Sequence, residues 1–300
     1  MSKFIIEYVS GCVGGMAGVV VGQPLDTIKV RLQTQTGMYK GITNCYLTIL
    51  KKEGAKGLFK GMTSPLLGLS FINAIVFGVE AQARHYLGTT GLKTTFASGA
   101  IAGFVQSIVC CPMELVKTQM QVQGIGKKTV KRTMKYKTSL DALKQIYRHE
   151  GVRGCYRGML TTVIRDTPAF GCYFMTYEAL TTGAVLKVLE INKEGNYTMP
   201  DIMKMLLSGG MSGMASWAVT YPVDVIKSRI QADHRRSDGK YKYNGLWAAG
   251  KLMSRNEGRW VFFTGLNSSL LRAFPVNAAT FVVVQVCSQQ LYKLNDENES

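Results

Sequence analysis

Acid and histidine are both scarce in this 300-residue chain, where 19 Asp and Glu face 36 Lys and Arg and only three histidines occur. Cys12, Cys45, Cys110, Cys111, Cys155, Cys172 and Cys287 show no C-x-x-C or Cys/His ligand spacing, so no metal site is expected and buried free thiols are the default. There is no nucleophile beside a base and no phosphate-binding glycine loop, which argues against an enzyme or a cofactor. The net charge of +17 comes without an aromatic-plus-basic recognition element, so nucleic acid is not an expected partner. The basic stretch Lys127 to Lys137 reads instead as a solvated loop beside anionic lipid. No basic leader is seen, since Met1 to Glu7 runs straight into an apolar stretch.

Charge is also missing locally. Uncharged runs cover Tyr8 to Leu25, Gly61 to Val79, Thr94 to Met113, Met205 to Val223 and Ala273 to Tyr292. At about 1.5 Å per residue each is close to the length needed to cross a hydrocarbon layer of roughly 30 Å. A sixth, Thr161 to Leu180, is interrupted by Arg165, Asp166 and Glu178. The mean hydropathy is only slightly positive, as expected for a bundle whose inner faces line a wet cavity rather than lipid. Six buried helices of a soluble protein would explain the runs less well, because every half-repeat carries one.

What the chain does have is one pattern written three times. Pro24, Asp26, Lys29 and Gln33 recur as Pro112, Glu114, Lys117 and Gln121, and again as Pro222, Asp224, Lys227 and Gln231. Thirteen and nine residues before each proline stand Gly11 and Gly15, Gly99 and Gly103, Gly209 and Gly213. After each motif come a polar stretch and Glu53-Gly54, Glu150-Gly151 or Glu257-Gly258. Then Phe59, Lys60 and Gly61, Tyr156, Arg157 and Gly158, or Phe263, Thr264 and Gly265 open a second apolar segment. Such a period means three copies of one unit, residues 1–90, 91–198 and 199–300, in one integrated domain. Each reads as helix, short surface helix, helix, so the fold class is all-α.

Along nearly its whole length this layout resembles the mitochondrial carrier (solute carrier 25) family. The resemblance implies six transmembrane helices in three pseudo-threefold repeats, with short surface helices on the matrix side, in the mitochondrial inner membrane. It also implies cardiolipin binding at the helix starts near Gly61, Gly158 and Gly265, with Thr264 replacing the usual base at the third.

Proline inside a membrane helix removes a backbone hydrogen bond and kinks it, so Pro24, Pro112 and Pro222 would draw three helix ends together. Asp26, Lys29 and Gln33 share one helical face, as do their counterparts in the other repeats. In a threefold ring each acid meets the base of a neighbouring repeat: Asp26 with Lys117, Glu114 with Lys227, Asp224 with Lys29. Pairing within one helix at i,i+3 would be worth little energy. In the resembled family the ring closes the matrix side, and glutamines (here Gln33, Gln121 and Gln231) brace it. On the opposite side Glu80, Arg84 and Glu178 stand, but Gln285 interrupts the pattern, so no three-pair network is expected there.

Mid-membrane charge defaults to function. Arg165 and Arg272 occupy matched positions, each three residues before a proline, and the first repeat has Gly68 at that place. Asp166 beside Arg165 puts an anion about 100° around the helix from a cation, complementary to a zwitterion. Arginine suits the carboxylate through its planar fork. Asn73 adds a polar group. The candidate substrate site is therefore Arg165, Asp166, Arg272, Asn73 and Gly68, and the partner a zwitterionic or cationic amino acid.

The segments from Pro65 to Gly78, Cys110 to Lys117 and Leu271 to Phe281 resemble the ornithine and carnitine branch of the family. This implies alternating-access transport of basic amino acids (arginine, lysine, ornithine, histidine), by exchange or uniport. Carnitine or acylcarnitine is the alternative substrate, because the residues by themselves specify only a zwitterion.

Overall fold

The computed structural model describes residues 3–35, 37–88, 91–123, 136–182, 199–234 and 241–299. Most of the basic stretch from Lys127 and the two expected repeat boundaries lie outside them, as does the side chain of Gln285. Among the described residues there are nine α-helices and no strand. They are α1 (Lys3–Thr34), α2 (Ile42–Glu53), α3 (Thr63–Leu87), α4 (Leu92–Val122), α5 (Ser139–Cys155), α6 (Met159–Thr182), α7 (Met199–Ala232), α8 (Leu246–Glu257) and α9 (Leu266–Glu299). Long, short, long recurs three times. Pro24, Pro112 and Pro222 each lie inside a continuous helix.

Glycine sets the punctuation at two places per repeat. Gly54, Gly151 and Gly258 have φ of 69°, 65° and 82°, a left-handed conformation that costs other residues energy. Gly54 and Gly258 cap α2 and α8 by donating to Leu50 O and Ser254 O. At Gly151 the regular path of α5 breaks, so its surface helix proper ends at Glu150. Gly61, Gly158 and Gly265, with φ of 79°, 83° and 86°, make the turn into the next long helix.

The surface helices bury the same positions in every repeat. Cys45 and Ile49, Ala142 and Ile146, and Ala249 and Met253 lie eight and four residues before the Glu-Gly pair and are all buried. That spacing is one apolar stripe of a 3.6-residue helix. The stripe of α2 packs with Ile28 and Leu58, and that of α5 with Leu115, Val116 and Met120. In these two repeats the residues after the proline thus serve as floor for their own surface helix. All seven cysteines are free thiols, and burial pushes that of Cys45 up to about 11.

Two units emerge from the contacts, and both cut across the repeats. The first comprises residues 1–71, 113–155 and 264–300, the second 72–112 and 156–263. In the first, α1 packs on α9 through Gly14, Gly18 and Gly22. A Cβ on these would lie 2.3 Å from Val284 Cγ2, 2.4 Å from Thr280 Oγ1 and 2.7 Å from Val276 Cγ2. In the second unit α4 approaches α6 through Gly99 and Gly103, where a Cβ would lie 2.7 Å from Phe170 O and 2.5 Å from Asp166 O. Among the recurrent glycines, Gly99 and Gly103 of the second repeat therefore act as close-contact points. Around Gly11 and Gly213 nothing lies within 4 Å of the added carbon, and the first repeat uses a stripe three residues further on.

Among the described residues one helix, α4, is long and apolar enough to cross a membrane by length and composition. The other long helices carry charge on inward faces: Arg31 is fully buried, Asp166 is 2 % exposed and Lys29 8 %.

Candidate substrate site and gate

In the first unit Asp26 lies two residues past Pro24, and both its carboxylate oxygens are engaged. Lys117 Nζ donates to Oδ2 at 2.7 Å, and Arg272 Nε lies 3.1 Å from Oδ1. The first contact is the expected Asp26–Lys117 pair between repeats. The second goes beyond the sequence pattern, which points Arg272 to the substrate alone. Ser268 Oγ donates to Leu25 O at 3.0 Å and fixes the start of α9 beside this acid. Gln121 Nε2 donates to Thr27 Oγ1 at 3.3 Å, so this glutamine braces α1 directly after Asp26. Gln33, Gln121 and Gln231 are all buried.

The sequence pattern gives Arg31 no role, yet it is the largest fully buried side chain among the described residues. Its Nη1 and Nη2 grip Glu53 at 2.7 and 3.0 Å, and its Nε donates to Gln121 O at 2.9 Å. Arg229 repeats this grip on Glu257 at 2.6 and 2.7 Å in the second unit. The signal was available, because both arginines stand seven residues past their proline and both acids precede the capping glycine. In the second repeat that place is Gln119. Burial pushes the Glu53 carboxyl up, but the bonds from Arg31 and Lys60 outweigh it and hold the group below its ordinary value of 4.5.

In the second unit Asp166 is nearly sealed from water rather than lining a wet cavity. Arg165 Nε lies 2.5 Å from Oδ1, and Gln106 Nε2 donates to Oδ2 at 2.8 Å. Gln106 was missed because a lone glutamine in an apolar run carries no pattern. Gly103, one turn earlier, supplies the close approach that brings it there. Arg165 Nη1 also lies 3.4 Å from Asp224 Oδ1. A candidate substrate residue again touches a candidate gate residue.

Gly68 is buried within α3 in the first unit, and Asn73 in the second is exposed. Neither belongs to the charged clusters among the described residues. Also in the second unit, Arg84 bridges Glu80 at 2.8 Å and Glu178 at 3.2 Å, and Ser98 donates to Glu80 at 3.1 Å. The expected pairs Glu114–Lys227 and Asp224–Lys29 each join residues of different units. Lys60 pairs with Glu53 and donates to Gln123 O at 3.1 Å, while Arg157 pairs with Asp233 at 3.0 Å. These bases stand at equivalent positions of two repeats, and Thr264 takes the third.

The profile of the family described as Mitochondrial carrier protein matches residues 1–91, 88–186 and 199–295. The chain belongs to the mitochondrial carrier family. It is thus a transport protein of the mitochondrial inner membrane. Among carriers it is 50% identical to the human "Mitochondrial basic amino acids transporter" over 94% of this chain and 89% of that one. It is 36% identical to human "Solute carrier family 25 member 45", covering 92% and 95% of the two chains. With the human "Mitochondrial carnitine/acylcarnitine carrier protein" it shares 35% over 94% and 93%.

Proposed function

We propose that the protein carries basic amino acids, among them arginine, lysine, ornithine and histidine, across the inner membrane by alternating access. The observation that carries this reading is the identity of about half its residues with a transporter named for that substrate class, against about a third for the carnitine carrier. The three repeats of residues 1–90, 91–198 and 199–300 form one domain in which α1, α3, α4, α6, α7 and α9 span the membrane. Even the shortest, α6 with 24 residues, reaches about 36 Å at 1.5 Å per residue. Cardiolipin binds near Gly61, Gly158 and Gly265.

Asp26–Lys117, Glu114–Lys227 and Asp224–Lys29 close the matrix side, braced by Gln33, Gln121 and Gln231. Support comes from Lys29 and Lys227, 8 % and 3 % exposed, because an ammonium so far from water requires a counter-charge. Arg165, Asp166, Arg272, Asn73 and Gly68 form the substrate site, with the arginines holding the carboxylate. Opening separates buried ion pairs, so only a substrate that binds the open state better can drive it. The protein accordingly works as an exchanger or a tightly coupled uniporter.

The test is uptake into liposomes containing the purified chain and preloaded with amino acids, carnitine, nucleotides or keto acids. Arginine, lysine and ornithine are expected to exchange well and nucleotides and keto acids not at all. Uptake confined to carnitine and its esters would replace this reading with the alternative.

A further inference from the structure

The two arginines assigned to the substrate carboxylate already sit on carboxylates of the protein. In the first unit Arg272 Nε holds Asp26 Oδ1 at 3.1 Å, while Lys117 keeps Oδ2 at 2.7 Å. In the second unit Arg165 Nη1 stands 3.4 Å from Asp224 Oδ1. Each contact places a guanidinium against an acid two residues past a motif proline, so the arrangement occurs twice. Arg272 is the more exposed of the two cations on Asp26, with 28% of its side chain open against 22% for Lys117. Its stem runs over Gly22, where an added Cβ would lie 3.2 Å from Nη1.

We propose that Arg272 is a built-in stand-in for the substrate, and that Asp26 is the acid that receives the substrate's cationic side chain. The inference rests on the transport reading above and deepens it. A guanidinium on Asp26 is chemically the same as the side-chain end of arginine and close to that of lysine or ornithine. When the substrate's carboxylate draws Arg272 away through paired hydrogen bonds, Asp26 loses one of its two cations. The side-chain cation of the same substrate then takes the vacated oxygen. No buried charge is left bare, whereas an amino acid with a neutral side chain would remove Arg272 without replacing it. The exchange gives a cationic substrate an acid in a chain with few acids and many bases. It also couples recognition to the gate, because the substrate reaches the Asp26–Lys117 pair itself.

Citrulline tests this, because it matches arginine in length and carries a neutral ureido group in place of the guanidinium. Substrate-induced thermal stabilisation of the detergent-purified full chain and half-saturation in proteoliposomes are read for both compounds. The wild type is expected to prefer arginine by about tenfold or more, the scale of one charged hydrogen bond. Asp26→Asn should shrink that preference to within about twofold, while Lys117→Gln, which breaks the gate pair and leaves Asp26, should keep it. Asp26→Glu advances the carboxylate by one methylene and should shift preference from arginine toward the shorter ornithine. That readout stands even where Asp26→Asn does not fold. Undiminished arginine preference in Asp26→Asn, or an unshifted arginine-to-ornithine ratio in Asp26→Glu, would overturn the inference and leave the transport reading intact. No response of the wild type to arginine, lysine or ornithine would overturn both.

Discussion

Gln106 Nε2 donates to Asp166 Oδ2 at 2.8 Å, and with Arg165 Nε at 2.5 Å from Oδ1 the carboxylate has both oxygens engaged. Asp166 thereby holds Arg165 and Gln106 in one buried cluster. Asp166→Asn is expected to raise the half-saturation concentration for arginine by about one to two orders of magnitude, the scale of roughly 1.5–3 kcal/mol for a charged hydrogen bond. Gln106→Leu should act in the same direction by about tenfold, since it bares one oxygen and leaves the ion pair. Arg165→Lys should also lose much of the activity, because an ammonium cannot grip a carboxylate with two parallel bonds. Half-saturation values unchanged in all three reconstituted variants would remove this cluster from the substrate site.

Charge reversal tests the ring where it joins neighbouring repeats. Glu114→Lys should abolish most transport, and adding Lys227→Glu should restore part of it at matched protein levels. A double variant no better than either single one would refute that pair. Rescue by reversing Lys117 instead would point to pairing within one helix.

Gly11 and Gly99 stand at the same place in two repeats and should respond oppositely to alanine. An alanine at Gly99 meets Phe170 O at 2.7 Å and Phe174 Cδ2 at 2.9 Å, so overpacking should cost about 1–3 kcal/mol. At Gly11 nothing lies within 4 Å, and better helix propensity should leave stability equal or higher by up to about 1 kcal/mol. Thermal midpoints of the two purified variants decide the matter. Equal losses would mean that the added methyl is not what matters.

Acid should weaken the anchor between α1 and α2. The folded-state value of Glu53 is depressed, so its contribution is fully present above the ordinary 4.5 and is lost as pH falls through the lower folded value. Glu53→Gln leaves the fully buried Arg31 without its counter-charge, a loss on the order of 3 kcal/mol. The thermal midpoint of the wild type should hold from neutral pH to about pH 4.5 and drop as pH falls further, and that of the variant should start lower and fall less. Parallel curves would show that another group controls the acid transition.

Local chemistry was legible without coordinates. Proline and glycine at fixed offsets, apolar runs of helical length and the Glu-Gly ends of the surface helices each act within a few residues, so periodicity alone placed all nine described helices in three equivalent sets. The same reasoning identified Asp26 and Lys117 as partners, because a threefold register brings equal positions together. Partner choice elsewhere depended on packing across the chain. Gly14, Gly18 and Gly22 rather than Gly11 meet α9, since rotation of a helix about its axis is set by its neighbour's side chains and not by its own pattern. Gln106 reaches Asp166 only because Gly103 lets two backbones touch. Arg272 turns to Asp26 because a guanidinium leaving water takes the nearest carboxylate, and only the tertiary structure decides which one that is.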